Sequence, residues 1–129
     1  MSRAEADAPD VRTWSLISGL GRVAFGVAML AAPEAALGVI GFTETGPATV
    51  AVTRLAGIRD LVLGGVTLGA LSDRKRLLNA TVANATADAG DAIAFALALR
   101  TRERSAGSYG LAAALPAALT GIWVARRLS

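Results

Sequence analysis

The chain has 129 residues, of which 53% are hydrophobic and only 18% charged, and it carries 13 Lys and Arg against 10 Asp and Glu. This length corresponds to a single domain over residues 1–129. Because the chain has no cysteine and no histidine, disulfides, thiol nucleophiles, zinc or haem sites built on those ligands and a Ser-His-Asp triad are all excluded. A low charged fraction with a basic surplus is unusual for a soluble domain and ordinary for a membrane protein.

Four apolar segments, taken in chain order, are long enough to cross a bilayer. A hydrocarbon core about 30 Å thick requires roughly 20 apolar residues in a helix that rises about 1.5 Å per residue. The segments are residues 13–32, 49–71, 77–99 and 108–125. A soluble four-helix bundle would carry a charged stripe on every helix, whereas the last segment contains no charge. The sequence therefore predicts an all-α fold, a four-helix transmembrane bundle in the cell (inner) membrane.

The connector between the first two segments, residues 33–46, is longer than a turn requires. Pro33 is suited to the first position of a short helix that would lie in the membrane interface. The connector is either an apolar link resting on the headgroups or a lid over an outward-facing cavity. The other two connectors, residues 72–76 and 100–107, are short and charged.

Basic residues near the segment ends predict the orientation, since cytoplasmic ends of membrane helices are enriched in Lys and Arg. The side that holds both termini and residues 72–76 carries seven such residues, and the opposite side carries three. Both termini are therefore predicted to be cytoplasmic, with the first segment retained as a helix and not cleaved as a signal peptide. The basic residues are scattered at helix ends, so the expected partner is the lipid bilayer and no nucleic acid.

Small residues at regular spacing predict close helix packing. They comprise Gly65 and Gly69 in the second segment, and Ala113, Ala117 and Gly121 in the fourth.

Six ionisable residues lie inside the apolar segments. On insertion scales each Arg or Asp at mid-helix costs about 2.5–3.5 kcal/mol, so these side chains should face inward and pair. Their heights along the helices place five of them close to one plane, with Arg54 about one and a half turns further out. They are three arginines and three aspartates, whose charges cancel: Arg22 in the first segment, Arg54, Arg59 and Asp60 in the second, and Asp88 and Asp91 in the third.

The third segment carries a continuous polar stripe. Its members, Thr81, Asn84, Asp88 and Asp91, recur at i, i+3, i+7 and i+10, which places them on one face of a helix. Because the second and third segments are antiparallel neighbours, this stripe should meet the charges of the second. The predicted ion pairs are Arg54 or Arg59 with Asp91 and Asp88, and Arg22 with Asp60.

Two interpretations of the charge cluster stay open. It is either a buried ion network that sets the register of Gly/Ala-rich helices, or a functional polar site, which charges inside a membrane usually mark. In a site, Asp88 and Asp91 could share a proton or a divalent cation and are the candidate catalytic acid/base pair. The arginines suit an anionic group; no resident metal or cofactor is predicted. The candidate ligand-binding residues are Arg22, Arg54, Arg59, Asp60, Asn84, Asp88 and Asp91.

These residues also carry a resemblance. With Arg22 and Asp88-x-x-Asp91, the stretch Arg54-x-x-Gly57-x-Arg59-Asp60-x-x-x-Gly64 is similar to that of small four-helix integral-membrane proteins of bacteria and fungi. That family has no known function and is loosely DoxX-like. The resemblance covers roughly residues 14–125 and implies a multi-pass membrane protein without implying an activity.

Three functions follow as hypotheses. The chain binds or carries a small amphiphile, a lipid headgroup or a proton; or it is an accessory or assembly subunit of a larger membrane complex; or it is a small membrane enzyme that uses the Asp pair. Each is compatible with a homo-oligomer or a larger assembly.

Overall fold

A computed structural model describes residues 3–43, 45–100 and 104–129 of the chain. In these ranges the chain forms five α-helices and no strand, which confirms the all-α prediction. Each of the four predicted segments falls on one of the four long helices. The helices are α1 (Arg3–Ala31), α2 (Pro33–Val39), α3 (Pro47–Gly69), α4 (Arg74–Ala98) and α5 (Arg104–Leu128).

Local sequence signals mark the first residues of α2, α3 and α4. Both α2 and α3 begin at a proline, whose fixed φ suits the first helical position and whose missing N–H is not needed there. The predicted short helix after Pro33 is thus confirmed. α4 is capped by Asp73, whose carboxylate accepts a hydrogen bond of 3.0 Å from the backbone N–H of Arg76. This hydrogen bond to the ionised carboxylate lowers the pKa of Asp73.

The four long helices pack mainly as two pairs, α1 with α3 and α4 with α5. In the first pair, glycines seven residues apart bring the two backbones into contact. A Cβ added to Gly26 would lie 2.7 Å from the carbonyl oxygen of Gly57, and one added to Gly57 would lie 2.9 Å from that of Gly26. Gly64 meets the carbonyl oxygen of Gly19 in the same way, at 2.8 Å. Only a residue without a side chain allows this approach.

The packing predicted for the glycines next to this contact is wrong. A Cβ added to Gly65 or Gly69 would meet nothing within 4 Å. Neighbouring helix positions are rotated by about 100°, so Gly65 points away from the face on which Gly64 touches α1.

The second pair, α4 with α5, also packs through small residues. Gly110 lies against the ring of Phe95, and a Cβ on Gly121 would be 2.9 Å from the Cβ of Ala85. The predicted contact at Gly121 is therefore confirmed. Ala113 and Ala117 do not join it, because both are exposed and line the cavity described below.

Polar residues face inward and large apolar residues face outward on the long helices. The buried polar side chains include Asp60, Thr67, Thr81, Asn84 and Asp88. The exposed apolar side chains include Ile17 on α1, Val62 on α3, Ile93 on α4 and Leu119 on α5. A water-soluble protein usually exposes its charged side chains and has fewer large apolar side chains on its surface.

Two helical stretches in the described chain are long and apolar enough to cross a membrane, Val11–Ala31 and Ser105–Leu128. Only 22% and 17% of their apolar windows are buried inside the protein, so most of this surface faces outward. They correspond to α1 and α5. The charged residues along α3 and α4 lower the hydropathy of those helices, so the described residues contain two candidate spans where four are predicted from the sequence.

The two ends of the helix assembly are closed by different contacts. At the end that holds the C-terminus, which we call the terminal end, a buried apolar cluster joins all four long helices; it consists of Val11, Ala70, Leu77, Ala80, Val124 and Leu128. There, the guanidinium Nε of Arg74 also donates to the carbonyl oxygen of Leu128 at 2.9 Å. At the opposite end, which we call the α2 end, the hydroxyl of Ser105 donates to the carbonyl oxygen of Gly41 at 3.0 Å.

Candidate functional site

Arg22 joins the two helix pairs at the centre of the protein. Its Nη1 donates to Asp60 Oδ1 on α3 at 3.0 Å, and its Nη2 donates to Asp88 Oδ1 on α4. The three side chains are only 8–12% exposed. The pairing of Arg22 with Asp60 is as predicted, whereas Asp88 binds Arg22 and not an arginine of α3. One guanidinium can serve two carboxylates because its planar fork presents separate donors.

Arg59 makes a second connection between α3 and α4. Its Nη1 and Nη2 donate to the two carboxylate oxygens of Asp91 at 2.8 and 2.7 Å. Bidentate pairs of this type are among the strongest hydrogen-bonded ion pairs in proteins. Nη2 also approaches Asp60 Oδ1 at 3.3 Å. Asp60 therefore receives both arginines and links the two pairs into one network, which we call the Arg/Asp network: Arg22, Arg59, Asp60, Asp88 and Asp91.

Asn84 lies one turn from Asp88 and makes a third connection between the same helices. Its amide nitrogen donates to the hydroxyl of Thr67 at 2.8 Å, and that hydroxyl donates to the carbonyl oxygen of Leu63. Thr67 is missing from the residues predicted from the sequence. The signal was present, since Thr67 follows Asp60 by seven residues and so lies on the same helical face.

Arg54 lies outside the Arg/Asp network. It is exposed on α3 and makes no ion pair with any residue that the structure describes. Without it, the network contains two guanidinium groups and three carboxylates. If all five are ionised, their charges do not cancel and one negative charge remains.

Asp88 and Asp91 are bound to different arginines, so the geometry gives them no shared proton. Each carboxylate instead accepts hydrogen bonds from its own guanidinium group. Among the described residues, no group of three acidic side chains is arranged to hold a metal ion.

Three buried polar atoms at the site have no hydrogen-bond partner among the described residues. They are Nε of Arg22, Nε of Arg59 and Oδ1 of Asn84. Buried polar groups are nearly always hydrogen-bonded, and each one left unmade costs about 1–3 kcal/mol. The Asn84 oxygen belongs to a side chain that lines the cavity described next.

A cavity of about 550 Å³ lies among the four long helices, with the Arg/Asp network in its wall. This volume lies in the range of pockets that bind small molecules. Its polar lining comes mainly from α3 and α4 and includes Arg22, Arg59, Asp60, Asn84, Asp88 and Asp91. Its apolar lining includes Trp14 and Phe25 of α1, Phe95 of α4, and Ala113 and Ala117 of α5. None of these apolar residues was predicted as part of the site, because a cavity wall has no local pattern of its own.

No protein-family model, no curated protein and no solved structure matches this chain.

Proposed function

We propose that the chain is a multi-pass membrane protein in which all four long helices cross the bilayer, with both termini cytoplasmic. The inward position of the polar residues and the outward position of the apolar ones support this proposal. In a bilayer the apolar outer surface contacts lipid tails, and the charged side chains inside form ion pairs with one another.

The charges of α3 and α4 are the reason that these helices fall short of the hydropathy of a span. Two of the three charges within α3, Arg59 and Asp60, are in ion pairs with other residues of the protein. The lipid-facing side of α3 instead carries residues such as Val52, Leu55, Val62 and Val66, all more than half exposed. A helix whose charges are paired inside does not bear the full insertion penalty of those charges.

Labelling of single cysteines distinguishes four spans from two, and the chain contributes no cysteine of its own. Thr43 and Ser72 are both exposed, one after α2 and one between α3 and α4. With four spans, a membrane-impermeant maleimide applied to intact cells labels Thr43→Cys and not Ser72→Cys. If only α1 and α5 cross, both positions lie outside and both are labelled, which would refute the four-span topology.

We further propose that the protein binds or carries a small amphiphile, a lipid headgroup or a proton at the Arg/Asp network. The observation that carries this proposal is the cavity, which has charged groups in one wall and apolar side chains in the others. Such a lining fits a molecule with one polar end and an apolar body. The unpartnered Oδ1 of Asn84, on a side chain that is 6% exposed, adds a polar atom that the protein alone does not satisfy.

Mass spectrometry of what co-purifies with the gently extracted protein tests this proposal. Wild-type protein should retain an amphiphile in near-stoichiometric amount. Asp88→Asn, which removes one charge from the cavity wall, should reduce retention about tenfold or more, since a hydrogen bond to a charged group is worth about 1.5–3 kcal/mol. Arg54→Gln is the matched control, because it removes a charge outside the cavity and should retain the wild-type amount.

Equal retention by wild type and Asp88→Asn, with both variants folded by circular dichroism, would refute a ligand site at the network. So would the absence of any retained amphiphile from all three proteins.

One observation favours a second function, that of an accessory subunit in a larger membrane complex. Arg54 is exposed on α3 one turn from Ile58, which is also exposed, and a lipid-exposed arginine is costly. An acidic residue on another membrane protein would offset that cost. On this alternative, Arg54→Gln dissociates a larger assembly seen by native mass spectrometry, whereas on the ligand-binding proposal it has no such effect.

A further inference from the structure

The charge of the Arg/Asp network restricts the kind of head group that the cavity can accept. Two guanidinium groups face three carboxylates, and all four terminal nitrogens of the guanidinium groups already donate to carboxylate oxygens. Both Nε atoms are enclosed by the protein. An anionic head would therefore meet arginines that are already neutralised, together with one excess negative charge.

A positively charged head meets a more favourable environment. All described hydrogen bonds to Asp60 and Asp88 end on Oδ1, which leaves the Oδ2 atoms of these two cavity-lining carboxylates to accept from a ligand. An ammonium group would supply both the donors and the missing positive charge.

Contacts between elements bound the cavity at its two ends and between α3 and α4. The apolar cluster around Leu77 and Val124 closes the terminal end, and Ile40, which lines the cavity, lies at the α2 end. Between α3 and α4, the bonds Arg59–Asp91 and Thr67–Asn84 hold the helices together.

The remaining side is the seam between α1 and α5, which touch at few points. The α5 residues that line the cavity on this side, Ala113 and Ala117, are small, and the α1 residues include Trp14, Ile17 and Phe25. These two helices are also the two candidate membrane spans. A seam lined by small and apolar side chains between the two candidate spans suits an alkyl chain that arrives from lipid.

We propose that the ligand is a single-chain amphiphile with a cationic head, which enters sideways from the bilayer between α1 and α5 and places its head at Asp60 and Asp88. The alkyl chain then lies along the seam against Ile17 and Trp14. This inference rests on the proposed function, which requires a membrane location and an amphiphile.

Trp14 provides the reporter, since it lines the cavity whereas Trp123 does not. Trp123→Phe leaves Trp14 as the only tryptophan. The experiment places this protein in phosphatidylcholine vesicles and titrates two probes of equal chain length, ω-bromododecylammonium and ω-bromododecanoate, whose bromine quenches indole fluorescence on contact. A Trp14→Phe protein, in which Trp123 reports alone, measures quenching by probe that is merely dissolved in the bilayer.

Gly21 and Gly65 supply matched blocking and control variants. A Cβ added at either position would meet nothing within 4 Å, but only Gly21 lines the cavity. Gly21→Leu should therefore fill the seam and Gly65→Leu should not, with the same change in helix propensity. Ala117→Leu blocks the seam from the α5 side and guards against a failure of Gly21→Leu to fold.

The expected result is saturable quenching of Trp14 by the ammonium probe at a concentration at least tenfold lower than by the alkanoate. Gly21→Leu and Ala117→Leu should abolish the saturable part, and Gly65→Leu should retain it. Equal or stronger quenching by the alkanoate, still blocked by Gly21→Leu, would overturn the cationic head while leaving an amphiphile site in place. Saturable binding that neither blocking variant affects would refute binding of the ligand in the seam between α1 and α5. If neither probe gives saturable quenching, both this inference and its amphiphile ligand fail.

Discussion

Replacing Arg22 by methionine removes the side chain that joins α1 to both α3 and α4. Methionine keeps much of the apolar stem and loses the charge. Asp60 retains Arg59 Nη2 at 3.3 Å, whereas Asp88 loses its one described ion-pair partner. Breaking a buried pair by removing one member typically costs about 3–5 kcal/mol, because the other charge stays buried without compensation. Since Asp88 is the carboxylate left alone, we expect a loss of this size in the free energy of unfolding.

The assay is reversible unfolding of the purified protein in mixed micelles with increasing dodecyl sulfate, followed by circular dichroism. The double variant Arg22→Met/Asp88→Asn removes the stranded charge and should recover at least about 2 kcal/mol of the loss, a coupling within the range seen for contacting residues. Arg54→Met is the control, because its arginine pairs with no described residue; it should change stability by no more than about 0.5 kcal/mol.

The reasoning is refuted if Arg22→Met is as stable as Arg54→Met, or if Asp88→Asn deepens the loss instead of relieving it. If Arg22→Met does not accumulate at all, Arg22→Lys, which keeps the charge and loses the fork to two carboxylates, should fold with intermediate stability.

Four further substitutions test the fold. Gly65→Ala should stabilise α3 by about 0.5–1 kcal/mol through helix propensity. Gly64→Ala adds a Cβ 2.8 Å from a backbone oxygen, so its free energy of unfolding should be about 1–3 kcal/mol lower than that of Gly65→Ala. Equal stabilities of the two variants in the same unfolding assay would disprove the backbone contact. Gly41→Ala should lose about 1–2 kcal/mol because its φ is +86°, and an unchanged midpoint would argue against that turn. Asp73→Ala should destabilise α4 at neutral pH, and the difference in stability from wild type should shrink in acid. The hydrogen bond from Arg76 lowers the pKa of Asp73 in the folded protein. The stabilisation by this cap is therefore present above the pKa of the unfolded aspartate and is lost as the pH falls through the pKa of the folded protein. A difference that does not change with pH would contradict this cap.

The positions of the long helices could be predicted from the sequence because length, hydropathy and breaks are local properties. Pro33, Pro47 and the charged residues 72–76 separate the apolar segments, and the structure begins or ends helices at or next to them. The polar face of α4 was predictable for the same reason, since the spacing of Thr81, Asn84 and Asp88 is a property of one helix.

The pairing of the charges could be predicted only in part. Arg54 and Arg59 are five residues apart, which rotates them by about 140° around α3, so both cannot face the same partner. The chain itself does not say which of the two faces inward. That depends on which side of α3 packs against α1, and the packing is decided by Gly57 and Gly64.

Composition and periodicity thus determine, from the sequence alone, that this chain is helical, apolar on its outer surface and charged at mid-helix. The tertiary structure alone decides that Gly64 and not Gly65 touches α1, that Arg22 serves both Asp60 and Asp88, and that Arg54 stays outside the network. As a result, the network beside the cavity contains two arginines and three aspartates, whereas the sequence alone suggested three of each. The physical reason is that hydropathy and helical phase belong to single segments, whereas contacts, cavities and net local charge depend on which helix faces meet.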